Sequence, residues 1–189
     1  MSIVYFSSLY NAYRYLVVIY LYWNKYDIVN IGNIMAITEA GGLVFNFVTT
    51  KIVPYTENHE KHVFIFVYFV LGGIISFFPF IMDLTENSST MQMGIIVLIN
   101  GIIEISYGII VTLNNAIFKK YTLNSTRWSV YSWATILTNI ISIVFITCIT
   151  ILMRYTKDNE YEYTPFYAIS GLFGILIILY NCFGDSIIR

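Results

Sequence analysis

Six long and almost uncharged runs of apolar residues constrain the fold of this chain more than any other feature. A helix of about 20 apolar residues crosses the roughly 30 Å hydrocarbon core of a bilayer. Because lipid offers no hydrogen bonds to the backbone, each run is predicted to be a helix. We therefore expect an all-α polytopic membrane protein, in which residues 1–189 form a single transmembrane domain and the lipid bilayer is the main partner. The runs extend roughly over Val4 to Trp23, Ile28 to Thr50, Val63 to Met82, Met93 to Phe118, Ser129 to Met153 and Pro165 to Cys182.

The composition supports this class and excludes several functions. The chain is 58% hydrophobic and 11% charged, whereas soluble domains carry about 25% charged residues. A net charge of -1 gives no reason to expect nucleic acid as a partner. Cys148 and Cys182 lie inside apolar runs and form neither a disulfide framework nor a cysteine-based metal motif. No catalytic or cofactor-binding motif is present, so we expect neither an enzyme nor a bound cofactor.

The distribution of basic residues predicts the orientation of the chain. Lys and Arg concentrate in the loops on the cytoplasmic side of membrane proteins. With an even number of spans, the two termini share one side with the second and fourth loops, and that side holds more of the basic residues. Both termini are therefore predicted to be cytoplasmic. The basic residues on the side of the termini are Lys51, Lys61, Lys119, Lys120, Arg127 and Arg189, against Lys25, Arg154 and Lys157 on the other.

Three ionisable residues, Arg14, Glu39 and Glu104, fall inside predicted spans. A charge at the centre of a bilayer costs about 2.5 to 3.5 kcal/mol on insertion scales, so each should face other helices or water. Arg14 and Glu39 lie at comparable depth on adjacent spans and are predicted to pair. Gly41 and Gly42 beside Glu39 should let another helix approach closely. Such a pair either fixes the register of the helices or takes part in the movement of a solute or a proton.

The fourth run carries a polar face. Asn100, Glu104 and Tyr107 share one side of a helix by the four-residue spacing, with Asn115 further along. A polar stripe on a spanning helix meets another helix or a water-filled path, and we favour the path. Further polar residues on the first and fifth runs are candidates for the same path. The predicted path residues are Asn11, Arg14, Glu39, Glu104, Asn114, Asn115 and Asn139.

Several short segments, among them Ala116 to Tyr121 and Tyr10 to Arg14, resemble motifs of the ferroportin family of iron exporters, within the major facilitator superfamily. The segment from Ala116 to Tyr121 is similar to the Ala-Ile-x-basic-Asp-Trp pattern that ends the fourth span of that family. The segment from Tyr10 to Arg14 resembles its Trp-x-x-Arg region, and shorter likenesses occur in residues 123–128 and 137–140. The family's Asp and His on the first span have no counterpart here.

The resemblance implies one six-helix lobe of a major facilitator transporter that exports a divalent metal, namely iron, by alternating access. Carriers of this architecture bind their substrate near the midplane between two halves. The partners that this interpretation requires are a small solute or divalent metal ion and a second six-helix lobe, which is either separate or supplied by a homodimer. Metal ligands remain unassigned. The alternatives are a lobe of another small-solute carrier and a structural or interaction membrane protein without transport activity.

Overall fold

Each predicted span forms one helix. The computed structural model describes residues 2–52, 59–84, 89–123, 125–156 and 163–188. These residues form helices and short turns and contain no strand, so the predicted all-α class is confirmed. The observed helices extend a few residues beyond the predicted bounds, most of all at the end of α6. They are α1 (Ser2–Trp23), α2 (Ile28–Ile52), α3 (Glu60–Leu84), α4 (Ser89–Tyr121), α5 (Arg127–Thr156) and α6 (Thr164–Ile188).

Five of these helices, α2 to α6, contain segments long and apolar enough to cross a membrane. Helix α1 is long enough but contains no such apolar segment, because Tyr, Ser, Asn and Arg interrupt its sequence. Its position explains this composition. Phe6, Ala12, Leu16 and Val17 have no exposed surface, so much of α1 contacts protein. A helix enclosed by its neighbours can carry polar side chains that a helix facing lipid cannot.

Helix α1 contacts more of the other helices than any other described helix does. The most extensive contacts are those of α3 with α6, α2 with α4, and α1 with α5, while α1 also contacts α2, α4 and α6. Ser8 contacts Thr138 and Asn11 contacts Ser142, so α1 and α5 run parallel. On α3 and α6 the residue numbers of contacting pairs change in opposite directions, so these helices are antiparallel. The chain therefore passes alternately up and down through the bundle.

The contacts have an internal symmetry. When α1, α2 and α3 are exchanged for α4, α5 and α6, the α1–α5 contact becomes α4–α2 and the α3–α4 contact becomes α6–α1. The α1–α4 and α3–α6 contacts map onto themselves. The smaller α1–α2 and α5–α6 contacts do not follow this rule. Because each unit contains three helices of alternating direction, the second unit is inverted relative to the first.

The turn between α1 and α2 brings the middle of these helices together. Lys25 has a φ of 62°, and the Lys25 and Tyr26 amides donate to the carbonyl oxygens of Tyr22 and Leu21. This is a Schellman motif, which ends a helix with one residue in the left-handed conformation. Helix α2 then returns beside α1, and Glu39 reaches the level of Arg14.

The α3–α6 pair forms the closed side of the bundle. A Cβ atom added to Gly72 would lie 3.4 Å from the Cβ of Phe173. The Ser170 hydroxyl donates to the Gly72 carbonyl oxygen at 2.8 Å, and the hydroxyls of Ser76 and Ser170 are hydrogen-bonded. A Cβ at position 72 would be in ordinary van der Waals contact, so a small residue there keeps the two helices close, as in other helix pairs of membrane proteins. On either side of this contact along the helix pair, the ring of Phe64 lies against that of Tyr180, and the ring of Phe78 stacks on that of Phe166.

Candidate functional site

Arg14, Glu39 and Glu104 form one charged cluster. Each lies close to the middle of its helix, on α1, α2 and α4 respectively. Arg14 Nη2 donates to Glu39 Oε1, which confirms the predicted pair. Arg14 Nε lies 3.9 Å from Glu104 Oε1 and has no hydrogen-bond partner among the described residues. A single guanidinium is therefore shared between two carboxylates from two other helices.

The cluster is exposed at one end and enclosed at the other. The side chain of Glu39 is 54% exposed, that of Arg14 30% and that of Glu104 14%. The sequence predicted other helices or water around each charge. Glu104 lies between helices, whereas the helices of this chain leave about half of the Glu39 side chain uncovered.

Tyr10 and Gly42 enclose Glu104. The Tyr10 hydroxyl donates to Glu104 Oε1. A Cβ atom added to Gly42 would lie 3.2 Å from both the Cβ and Oε2 of Glu104, whereas one added to Gly41 would meet nothing within 4 Å. The predicted close approach therefore occurs at Gly42 alone. Tyr10 was absent from the predicted site, although its four-residue spacing from Arg14 places both side chains on one face of α1.

The polar face of α4 contacts α1. The Tyr13 hydroxyl donates to Asn100 Oδ1 at 3.1 Å, in a buried position. The rings of Tyr10 and Tyr107 stack with centroids 3.9 Å apart. The sequence favoured a water-filled path along this face; the structure instead fills its middle with tyrosine side chains from α1. Of the residues on this face of α4, Glu104 is the one that lies beside the Arg14–Glu39 pair.

The other predicted path residues lie outside the cluster. Asn11 donates to the Ser142 hydroxyl at 3.3 Å across the α1–α5 contact. Asn114 Nδ2 donates to the Ile110 carbonyl of its own helix, and Asn115 accepts a hydrogen bond from Tyr131 on α5. Asn139 is exposed on α5. The structure therefore brings together three of the predicted residues, Arg14, Glu39 and Glu104, and distributes the four asparagines along the helices around them.

The cluster contains two oxygen ligands for a cation but also a competing cation. No group of three or more His, Cys, Asp or Glu side chains suited to a metal ion occurs in the described ranges. His59 and His62, at the start of α3, have ring centroids 6.4 Å apart and lie away from the carboxylates. An incoming cation would have to compete with Arg14 for both carboxylates.

Two open grooves occur elsewhere on the described surface. One has a cavity volume of about 500 Å³ and lies between α3 and α4, around Gly73 and Leu98. The other has a volume of about 700 Å³ and lies on α5, around Trp128 and Tyr131. None of the three charged residues lines either groove.

Comparison of the chain with protein-family models, with curated proteins and with solved structures gives no match. The functional assignment therefore rests on the geometry of the charged cluster and on the arrangement of the helices. Both features can be tested by substitution, with a variant at another position of the chain as the control.

Proposed function

We propose that this chain is a multi-pass membrane protein that forms one six-helix lobe of a secondary carrier, with the charged cluster in the path of its substrate. The observation that carries the proposal is the position of Arg14, Glu39 and Glu104. They lie at the middle of three helices, and Glu39 is more than half exposed. Ionisable residues in the middle of membrane spans commonly mark the pathways of substrates, ions and protons.

The arrangement of the helices supports the same class. Major facilitator lobes contain two inverted three-helix repeats, and their substrate sites lie near the midplane. The exchange of α1, α2 and α3 for α4, α5 and α6 preserves the main helix contacts of this chain. The cluster joins the first helix of each unit, α1 and α4, through the Arg14–Glu104 and Tyr10–Glu104 contacts.

The charge balance favours a cation as the substrate or coupling ion. With both carboxylates ionised, the cluster has a formal charge of +1 from Arg14 and -2 from Glu39 and Glu104, which leaves -1. Carboxylate oxygens suit protons and hard or borderline divalent metals. The narrower proposal, export of a divalent metal such as iron as the ferroportin resemblance implies, requires the metal to displace Arg14 from Glu39.

A structural role is the alternative, and the enclosed half of the cluster favours it. Glu104 is hydrogen-bonded to Tyr10 and lies against Gly42, an arrangement that fixes the register of α1, α2 and α4. In that case the charge pair would stabilise the bundle without moving a solute.

Flux measurements in proteoliposomes separate these functions. The purified chain would be reconstituted and assayed for Fe²⁺, Co²⁺ and proton movement, beside Glu39→Gln, Glu104→Gln and Arg14→Gln. Arg154→Gln, at the exposed end of α5, is the matched control. We expect at least a tenfold loss of flux in the three cluster variants and none in the control. Absence of flux in the parent chain, or equal flux in all variants, would contradict the carrier function.

A further inference from the structure

The turn between α4 and α5 carries a local excess of positive charge. The last turn of α4 contains Lys119 and Lys120, both exposed, and α5 begins at Arg127. No Asp or Glu occurs in the sequence between Glu104 and Asp158. The three basic residues therefore give this end of the two helices a formal charge of +3, which no acidic residue of the same stretch balances.

Arg127 ties the basic end of α4 to the first turn of α5. Its Nη2 donates to the carbonyl oxygens of Lys119 and Thr122, at 3.2 Å in both cases. Carbonyl groups at the end of a helix lack an intrahelical partner, so the guanidinium satisfies groups that α4 leaves open. The amides of Thr126 and Arg127 both donate to the Leu123 carbonyl oxygen and close the turn. The basic residues and the start of α5 therefore have a defined arrangement.

A groove with a volume of about 700 Å³ begins at this turn and runs along α5. Its lining residues share one face of the helix by their spacing of three and four residues, and they extend over about 12 Å of helix length. The Ser132 and Thr135 hydroxyls donate to carbonyl oxygens of α5 itself, so the groove offers mainly aromatic and aliphatic surface. We call it the α5 groove, and its residues are Trp128, Tyr131, Ser132, Thr135 and Ile136.

The α5 groove lies beside the basic end of α4. The ring of Tyr131 packs edge-on against that of Phe118, with centroids 4.7 Å apart, and its hydroxyl donates to Asn115. Phe118 directly precedes Lys119. At the outer end of the groove, Trp128 follows Arg127 and is 82% exposed. Positive charge and an apolar groove therefore occur side by side at one end of two spanning helices.

We propose that the basic turn and the α5 groove together bind an anionic phospholipid. The phosphate lies beside Lys119 and Lys120, and an acyl chain follows the groove along α5. A zwitterionic lipid would fill the groove without balancing the charge, and a free anion would balance the charge without filling the groove. A phospholipid with a net negative headgroup matches both features.

The location of the site agrees with this ligand. Tryptophan is enriched at the level of the lipid headgroups, where Trp128 would lie. The distribution of basic residues predicts that this end of the bundle is cytoplasmic, and the cytoplasmic leaflet carries the anionic lipids that basic residues near the membrane attract. The inference goes beyond the proposed carrier function and does not depend on it.

Quenching of Trp128 fluorescence by brominated lipids tests the site directly. Trp23→Phe and Trp133→Phe together leave Trp128 as the single tryptophan of the chain. This protein would be reconstituted into mixtures of phosphatidylglycerol and phosphatidylcholine in which one of the two lipids carries bromine on its acyl chains. We expect Trp128 to prefer phosphatidylglycerol about fivefold. A chain with Trp133 as its single tryptophan, which is 64% exposed on another side of α5, should show no preference.

Two pairs of variants separate the roles of charge and groove. Lys119→Gln/Lys120→Gln should remove the preference, whereas Lys51→Gln/Lys61→Gln, which removes two charges at the end of α2 and the start of α3, should keep it. Thr135→Phe occupies the groove and should weaken quenching by both lipids. Thr147→Phe is its control, because both threonines are exposed on α5 and donate to the carbonyl four residues earlier.

Several outcomes would overturn the site. Equal quenching of Trp128 by the two lipids would do so, as would a preference that survives Lys119→Gln/Lys120→Gln or falls equally in Lys51→Gln/Lys61→Gln. Equal effects of Thr135→Phe and Thr147→Phe would reject the groove. Loss of the preference on addition of inorganic phosphate would show that the turn binds the anion alone and would reject the lipid. None of these measurements involves flux, so their failure would leave the carrier proposal standing.

Discussion

The closed side of the bundle, formed by α3 and α6, contrasts with the charged side between α1 and α2. On the closed side, Gly72 lies against Phe173 and aromatic rings contact one another along the pair, with Phe78 and Phe166 centroids 4.8 Å apart. On the charged side, Glu39 is more than half exposed. The closed side is packed by side chains of α3 and α6, whereas on the charged side the carboxylate of Glu39 is left partly exposed.

The contrast separates a side that packing explains from a side that packing alone does not explain. Close-packed apolar contacts tolerate little change in volume. An ion pair that is half uncovered at the middle of spanning helices is costly in lipid, although removal of one partner alone still destabilises the bundle. Its presence is explained if the charged side faces a substrate path or a partner.

Gly72→Leu should give the largest effect and would break the closed side. A Cβ at Gly72 would already be in van der Waals contact with Phe173, at 3.4 Å, so the further atoms of a leucine would collide with α6. Overpacking of this kind costs about 3 kcal/mol. Gly73→Leu is the control, because a Cβ at Gly73 meets nothing within 4 Å. Thermal unfolding in detergent should show a clear loss for Gly72→Leu only; equal losses would mean that α3 and α6 are not in close contact.

Arg14→Gln should have the next largest effect, on the charged side. The substitution leaves Glu39 and Glu104 without their cation, and we expect a loss of about 2 kcal/mol because breaking one partner of a pair leaves an uncompensated charge. The double variant Arg14→Gln/Glu39→Gln should recover about half of this loss. Thermal unfolding of the parent, both single variants and the double variant gives the coupling energy. A coupling energy near zero would contradict the Arg14–Glu39 contact.

Gly42→Ala tests the boundary between the two sides, where α2 meets α4. The added Cβ would lie 3.2 Å from the Cβ of Glu104, so α2 or α4 must shift slightly. We expect a loss of about 1 kcal/mol. Gly41→Ala has open space and should be neutral or slightly stabilising, since Ala favours helix over Gly. Unfolding midpoints measured side by side check this, and a neutral Gly42→Ala would argue against the α2–α4 approach.

Tyr163→Phe should have the smallest effect, at the end of the closed side. Tyr163 donates to Asp83, and burial followed by this hydrogen bond raises the pKa of its phenol. The neutral form is the one stabilised, so its contribution is complete below the unfolded pKa of about 10 and declines as the pH rises above it. The stability difference between the parent and Tyr163→Phe should be about 0.5 kcal/mol at pH 7. Unfolding midpoints at several pH values should show the difference shrinking above pH 10, and a constant difference would contradict the hydrogen bond.

The sequence predicted the helices well because hydrophobicity and length determine them directly. All six spans appear as helices, and the Arg14–Glu39 pair follows from two charges at equal depth on adjacent helices. The polar composition of α1 also has a clear cause, which is its enclosure by the neighbouring helices. What the sequence left open was which neighbour each helix faces.

The details of the site depend on the rotation of each helix about its axis, which the sequence does not determine. Asn100 and Tyr107 were expected to line a path, but α4 turns them toward α1. Asn114 and Asn115 share the helix with Glu104 yet contact their own backbone and α5. Tyr10 became visible as a partner of Glu104 only after α1 and α4 were placed side by side.

The most direct test of the central claim is the accessibility of position 39 to water in a bilayer. Glu39→Cys would be introduced after Cys148 and Cys182 are replaced by Ser, reconstituted into vesicles and treated with a membrane-impermeant thiol reagent. Phe69→Cys, at a position 68% exposed on α3, is the comparison. If the charged side faces an aqueous path, Glu39→Cys reacts and Phe69→Cys, surrounded by lipid, does not. Protection of both positions, or equal reaction at both, would contradict the account.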